Sequence, residues 1–492
     1  QGWGMQYSMG EIPYYVYEFF KKGIEDGNNY YSLSQTRSRS AAFFANATYS
    51  YKGRYTVNGT ARYEGTNRMG KSRSARWLPT WNVSGAWNAH EEKFFSNLTS
   101  VLSHFTLKAS YSLTADRGPA DVTNSQAIIT SYSPYRPFTS IQESGLYIKE
   151  LENSELTYEK KHELNIGADM GFLNNRINLA VDWYKRNNYD LIGIVNTQGA
   201  GGQILKYANI ASMKSHGIEF TLSTKNIKTK DFNWNTDFIF SNAKNEVTDL
   251  KQNANVMELI SGNGFAKQGY PVRGLFSIPF VGLDKDGIPV IINEKGEATS
   301  TDINFQERQN TGFLKYEGPT DPTITGSLGN MFSYKGFRLN LFITYSFGNV
   351  IRLNPVFKAY YSDLTAMTRE FKNRWTLPGD EAKTNVPAIL SKRMYDSNED
   401  LKYAYNAYNY STERIAKGDF IRLKEISLAY DFPKAWINPL KLTDLSLKVQ
   451  ATNLFLIYAD DKLNGQDPEF FNAGGVASPV PRQFTITLRL GL

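Results

Sequence analysis

The chain has 492 residues, 41% of them hydrophobic, with 31 Tyr, 30 Phe and 8 Trp and no cysteine. Its mean hydropathy of −0.45 goes with the absence of any apolar run near the roughly 18 residues of a spanning helix, which excludes a helical membrane protein but not a strand-built one with polar loops. The formal net charge of +7 is small for this length, with basic residues dispersed among acidic ones, which argues against a nucleic-acid partner, and without cysteine there are no disulfides, thiolate metal sites or cysteine nucleophiles.

Residues 1–42 carry clustered aromatics (Tyr14, Tyr15, Tyr17, Phe19, Phe20) and Gly-Asn turn signals without one clean period, and are expected to be a strand remnant plus a loop. The start, Gln1-Gly-Trp-Gly, has no initiator Met, signal peptide or lipobox, so a portion of a longer precursor is expected. From residue 43 a period of two is plain. Phe43, Ala45, Ala47, Tyr49 and Tyr51 alternate with Phe44, Asn46, Thr48 and Ser50. After the Lys52-Gly53 turn, Tyr55, Val57, Gly59, Ala61 and Tyr63 alternate with Arg54, Thr56, Asn58, Thr60 and Arg62. Alternation of this kind gives an extended strand one oily face and one polar face. The unit recurs at 77–87, 105–113, 162–172, 176–186, 217–224, 232–240, 324–334, 337–347, 420–432 and 442–452. The ending is a strict ladder, with Phe484, Ile486, Leu488, Leu490 and Leu492 between Thr485, Thr487, Arg489 and Gly491. About thirteen strands result, several near the 9–11 residues that cross a bilayer when tilted.

The connections separate a barrel from a sandwich. Short ones follow 43–51, 162–172 and 324–334; long ones follow 54–64, 176–186 (roughly 30 residues) and 337–347 (about 70), and the expected alternation has no slip. Short periplasmic turns and long extracellular loops have this parity in outer-membrane barrels, which puts the C-terminus in the periplasm. A sandwich has no reason to send every long loop to one end. The fold class expected is all-β, a large antiparallel transmembrane barrel. Since bacterial barrels have even strand counts, further strands are expected from the opening segment or upstream of Gln1.

Ser241–Leu250, Thr320–Leu339, Gly418–Pro433, Ala451–Phe455 and Pro481–Phe484, with weaker matches at Arg62–Thr66, Leu78–Thr80 and Ser215–Glu219, together resemble the SusC/RagA family of TonB-dependent outer-membrane transporters. The set follows the family's order over nearly all of residues 43–492. The resemblance implies a 22-stranded barrel of which residues 1–492 are a C-terminal portion, the plug, TonB box and N-terminal extension not being in this sequence. It also implies a SusD-like surface lipoprotein as lid, TonB acting through segments not present here, a dimer of transporter–lid pairs, and import of oligosaccharides or oligopeptides. Leu492 departs from the terminal aromatic common in outer-membrane proteins.

No cofactor, metal site or enzymatic function is expected. Asp284-Lys-Asp-Gly287 has the look of a calcium loop but lacks the later ligands, and its apolar flanks make Asp286-Gly287 a hairpin turn. Gly199-Ala-Gly-Gly202 lacks the strand-then-helix frame of a phosphate loop. The four histidines (His90, His104, His162, His216) have no metal-ligand spacing. Arg62, Lys108, Asp182, Glu219, Asp237, Arg338 and Lys448 fall in the polar phase of their strands and are expected to line a solvated lumen. Between 348 and 418 lie Tyr360, Tyr361 and Trp375, then Tyr395, Tyr403, Tyr405, Tyr408 and Tyr410 among Asn and Asp. Aromatic faces beside amides suit sugar rings or peptides, and these last five tyrosines are the candidate substrate-binding residues. The alternative functions are a passive porin or structural barrel, and a soluble carbohydrate-binding β protein.

Overall fold

The computed structural model describes residues 2–5, 31–34, 39–118, 127–132, 145–197, 199, 205–261, 266–356, 367–471 and 481–491. The clustered aromatics at 14–20, Tyr360, Tyr361 and Leu492 lie outside them. Gly2–Met5 pairs with Tyr31–Ser34 as a separate two-stranded sheet.

Thirteen strands form one antiparallel sheet in strict chain order. They are β1 (Ser40–Tyr51), β2 (Tyr55–Thr66), β3 (Trp77–Asn88), β4 (Leu102–Asp116), β5 (Glu159–Phe172), β6 (Ile177–Asn196) and β7 (Leu205–Lys228), followed by β8 (Phe232–Leu250), β9 (Ile324–Tyr334), β10 (Phe337–Phe347), β11 (Phe420–Asp431), β12 (Asp444–Ala459) and β13 (Gln483–Gly491). All thirteen expected strands are present. β1 and β13 are the two edges of this sheet, and each has one strand neighbour among the described residues.

The register joins the oily stripes into one band. Val57 of β2 sits between Tyr49 and Gly85, and Trp183 of β6 between Ile166 and Ile218. Leu339 of β10 lies between Phe332 and Leu428, and Val449 of β12 between Leu428 and Ile486. A one-residue slip anywhere would turn a strand inside out, so the band fixes the pairing as firmly as the turns do. β11 shows how the phase survives an irregularity. Ile421 and Leu423 point outward above a bulge, and Ile426, Leu428 and Tyr430 below it, because the pairing skips Lys424. The extra residue resets the parity that the sequence breaks there.

The other face is polar and hydrogen-bonded across strands. Asn58 Nδ2 donates to Thr48 Oγ1 at 2.6 Å, Lys108 meets Asp169 at 2.7 Å, Ser223 Oγ donates to Asp237 Oδ1 at 2.6 Å, and Arg338 meets Asp431 at 2.8 Å. The expected lumen-facing residues Arg62, Lys108, Asp182, Glu219, Asp237, Arg338 and Lys448 sit on this side.

The turns keep their sides but not the strict rule of length. Lys52-Gly53 and Lys335-Gly336 make tight turns with positive φ throughout, 53° and 70° in the first and 44° and 91° in the second, a conformation matched to strand twist. The connection after β3, however, spans 89–101 and contains two short 3₁₀ turns. The one after β6 is only 197–204, where a long loop was expected. The missing loop is strand: β6 has 20 residues and β7 has 24, roughly twice what a bilayer needs. Their pairing runs on past the membrane to Asn196–Leu205, so backbone ladder replaces irregular loop.

Candidate functional site

The long connections 251–323 and 348–419 leave the extracellular ends of β8 and β10, and their described residues fold into one body. The sequence sets up the first part locally. Asn255 Oδ1 accepts from Glu258 N at 2.8 Å while Glu258 Oε2 accepts from Asn255 N at 2.7 Å. That reciprocal cap starts helix α1 (Val256–Ser261). Phe280–Leu283 and Pro289–Ile292 then form the hairpin expected around Asp286-Gly287. Asp284 Oδ1 accepts from the amides of Asp286 and Ile288, both at 2.9 Å, so the acid organises the turn. Gly287 has φ 75°, and a Cβ there would lie 2.5 Å from the Trp375 ring. Glycine is required twice over at this position.

The second connection supplies α2 (Lys392–Ser397) and α3 (Leu401–Asn409). Ala404, Tyr405, Ala407 and Tyr408 of α3 are fully buried. Ala407 joins Val256, Leu259, Ile260, Phe276, Ile278 and Ile291 in one apolar core that spans both connections. Backbone bonds stitch them as well. Ile278 N donates to Tyr410 O and Thr412 N to Ile278 O, both at 3.0 Å, and Ala388 N donates to Gly287 O at 3.0 Å.

Buried charge ties the two connections to each other and, through the connection after β12, to β11. Arg352 Nη2 donates to Phe276 O at 2.5 Å and Nη1 to Ser411 O at 3.4 Å. Burial pulls this guanidinium down to about 10. Arg414 donates to Asn354 O at 2.7 Å and pairs with Glu370, which in turn accepts from Asn464 Nδ2 at 3.0 Å. Arg422, on the inward side of β11, meets Asp467 at 2.5 Å, and both side chains are buried. Nothing in the sequence pairs these residues. Arg422 faces inward because the bulge at Lys424 resets the phase of β11, and its partner lies on another connection.

The five candidate tyrosines do not share one surface. Tyr405 and Tyr408 are 0% exposed. The Tyr405 hydroxyl donates to Ala388 O at 3.0 Å, and Tyr408 meets Phe280 edge-on with centroids 5.4 Å apart. Burial raises the pKa of both phenols. In this conformation they hold the body together and have no face to offer a ligand. Tyr395 on α2 and Tyr410 after α3 are half-buried, Tyr410 lying under the Arg352 guanidinium at 5.4 Å. Tyr403 is 38% exposed and flanked by Phe305 and Lys402. Trp375 is anchored by Nε1 donating to Glu381 Oε2 at 3.0 Å. The helical spacing of 401–409 explains the split: positions 404, 405 and 408 share the inward face and 403 does not. No cluster of metal-binding side chains occurs among the described residues.

Outside the loops, large apolar side chains of the oily band are exposed: Tyr49 at 68%, Val57 at 54%, Val449 at 47% and Ile486 at 74%. A water-soluble domain does not leave a continuous band of this kind uncovered.

Comparison with known proteins agrees with this geometry. Residues 2–454 match the family described as TonB dependent receptor-like, beta-barrel. The TonB-dependent receptor SusC of Bacteroides thetaiotaomicron is 26% identical over 96% of this chain and 47% of its own length. TonB-dependent receptor P3 of Formosa agariphila is 25% identical over 87% of this chain and 41% of its own. The chain spans about half the length of the curated relatives it matches. Among solved structures, one described as the RagAB peptide transporter superposes with a TM-score of 0.73 at 23% identity, covering 93% of this chain and 48% of that one.

Proposed function

The chain belongs to the TonB-dependent receptor β-barrel family of the outer membrane, and from that premise we propose that it forms part of the barrel of an importer of oligosaccharides or oligopeptides. The observation that supports this most is the pairing of a lipid-facing oily band with a polar inner face, under an extracellular body joined to β11 through the connection after β12 by Arg414, Glu370 and Asn464 and by Arg422 and Asp467. The family is non-enzymatic, and the chemistry here is that of a binding surface and a polar passage. SusC and the RagAB peptide transporter support a SusD-like lipoprotein as lid and TonB as the source of energy. Contact with cargo or lid is assigned to Tyr403 and to the half-buried Tyr395 and Tyr410, while Tyr405 and Tyr408 set the shape of the body that presents them.

The test is uptake of labelled oligosaccharides and oligopeptides by cells carrying the intact protein, with TonB present or deleted. Import that stops without TonB supports the proposal. Import that continues unchanged makes the barrel a passive pore. Removing the segment around Tyr403–Tyr410 is expected to lower binding of cargo or lid, and uptake unchanged by that deletion counts against the assignment.

A further inference from the structure

A small polar cavity of about 130 Å³ lies where β8 runs into the loop body, lined by Gln252, Asn253, Lys267, Gln268, Arg308 and Gln309 among others. Its central cation is Lys267. The ammonium sits 5.3 Å from the Phe276 ring centroid and 5.7 Å from that of Tyr270, and makes a long hydrogen bond, 3.4 Å, to Thr311 O. No carboxylate of the described residues forms an ion pair with it. Burial lowers its pKa, the sign of an ammonium held away from water without compensating charge. Arg308 does not relieve this. Its two contacts to Glu258 are both 3.4 Å, because Glu258 is already committed to the cap of α1 at 2.7 Å. Opposite in character, the Gln252 side-chain carbonyl is buried and has no donor.

The cavity thus has donors to spare on a cation, one acceptor lacking a partner, and four carboxamide side chains around it. At ~30 Å³ per water it has room for about four waters, enough for a carboxylate and an adjacent hydroxyl, with the rest of a sugar ring lying at its open mouth. A ligand that supplies a carboxylate to Lys267 and a hydroxyl to Gln252 satisfies both at once, and a charged hydrogen bond here is worth more than a neutral one. We propose that this cavity is a subsite for a uronic acid residue, the carboxylate on Lys267 and a ring hydroxyl on the Gln252 carbonyl. A peptide C-terminus also carries a carboxylate, but it brings one N–H donor and a side chain to walls that offer carboxamides. The subsite deepens the import reading by naming a charged sugar as part of the cargo, and rests on that reading only for the cargo's route.

The test is calorimetric titration of the detergent-extracted intact protein with sodium D-glucuronate, D-glucose and an alanine dipeptide. Saturable glucuronate binding is expected, weakened about tenfold or more in Lys267→Gln, kept in Lys267→Arg, and weakened in Gln252→Leu, with no glucose binding. The proposal is overturned if glucuronate does not bind, if Lys267→Gln binds it equally, or if glucose binds as well. Tighter binding of the dipeptide than of glucuronate also overturns it. If Lys267→Gln loses heat-modifiable migration on gels, the comparison of Lys267→Arg with Gln252→Leu decides instead, and equal weakening of both by tenfold overturns the proposal. Binding is measured apart from uptake. Import without glucuronate binding overturns the subsite alone, and glucuronate binding without import counts only against the import reading.

Discussion

The sheet and the loop body are built on opposite plans. In the sheet the backbone ladder carries the structure, the polar side chains pair inward, and the apolar ones face out. In the body built from the described residues of 251–323 and 348–419 the apolar side chains are inside, around Val256, Ile278, Tyr405 and Tyr408. The first needs lipid to be stable and the second needs a core. The difference teaches which mutations each part notices: the sheet responds to the polarity of its outer face, the body to volume and buried bonds.

The largest effect is expected in the body. Tyr408→Ala empties a fully buried aromatic site and should cost about 3–5 kcal/mol of its local stability. Limited proteolysis of the loops should detect it, with the barrel's heat-modifiable migration unchanged. Next comes the outer face of the sheet. Leu341→Arg lies mid-strand on the oily side of β10 and should cost about 2–4 kcal/mol, read from denaturant refolding into bilayers. Asn340→Arg, one residue away and inward, should cost far less, and equal effects would erase the distinction between the faces.

Alkaline pH should sharpen the comparison further. Tyr405 and Tyr408 have pKa values raised by burial, while in the unfolded chain they titrate near 10. Above about pH 10 the unfolded body releases protons that the folded one keeps, so stability falls as pH rises. Burial lowers Arg352 as well, which acts in the opposite sense, but a guanidinium in a protein resists deprotonation, so the two phenols set the sign. The body should open to protease above pH 10 before the barrel unfolds, and the Tyr405→Phe, Tyr408→Phe double variant should lose that sensitivity. The smallest effects separate two tyrosines. Tyr405→Phe should cost about 0.5–1.5 kcal/mol through its bond to Ala388, whereas Tyr403→Ala should leave stability within about 0.5 kcal/mol and, on the proposal above, lower cargo or lid binding.

How much of this was legible depends on how local the cause is. Strand phase is a period-two pattern, so all thirteen strands can be read directly, and the Lys335-Gly336 turn is set by two residues. The length of β6 and β7 was hidden because the stretch past Arg186 loses clean alternation, yet still pairs to Asn196. The loop body was hidden for a different reason. Its core joins residues far apart in the chain, as Ile278 joins Tyr410, and no short pattern encodes that. Tyrosines spaced along 403–410 looked alike as composition, but helical geometry sends Tyr405 and Tyr408 inward and Tyr403 outward. The inward side of Arg422 depends on the bulge at Lys424 and its bond to Asp467 on a distant connection, so neither is a local pattern.

The central claim is that alternate residues of each strand face lipid and water. The chain has no cysteine, so single spin labels can be placed at each of residues 338–343 of β10 and their collisions measured with oxygen and with a water-soluble nickel chelate. The account predicts high oxygen access at 339, 341 and 343 and high chelate access at 338, 340 and 342. A profile without that alternation, or with its phase reversed, would contradict it.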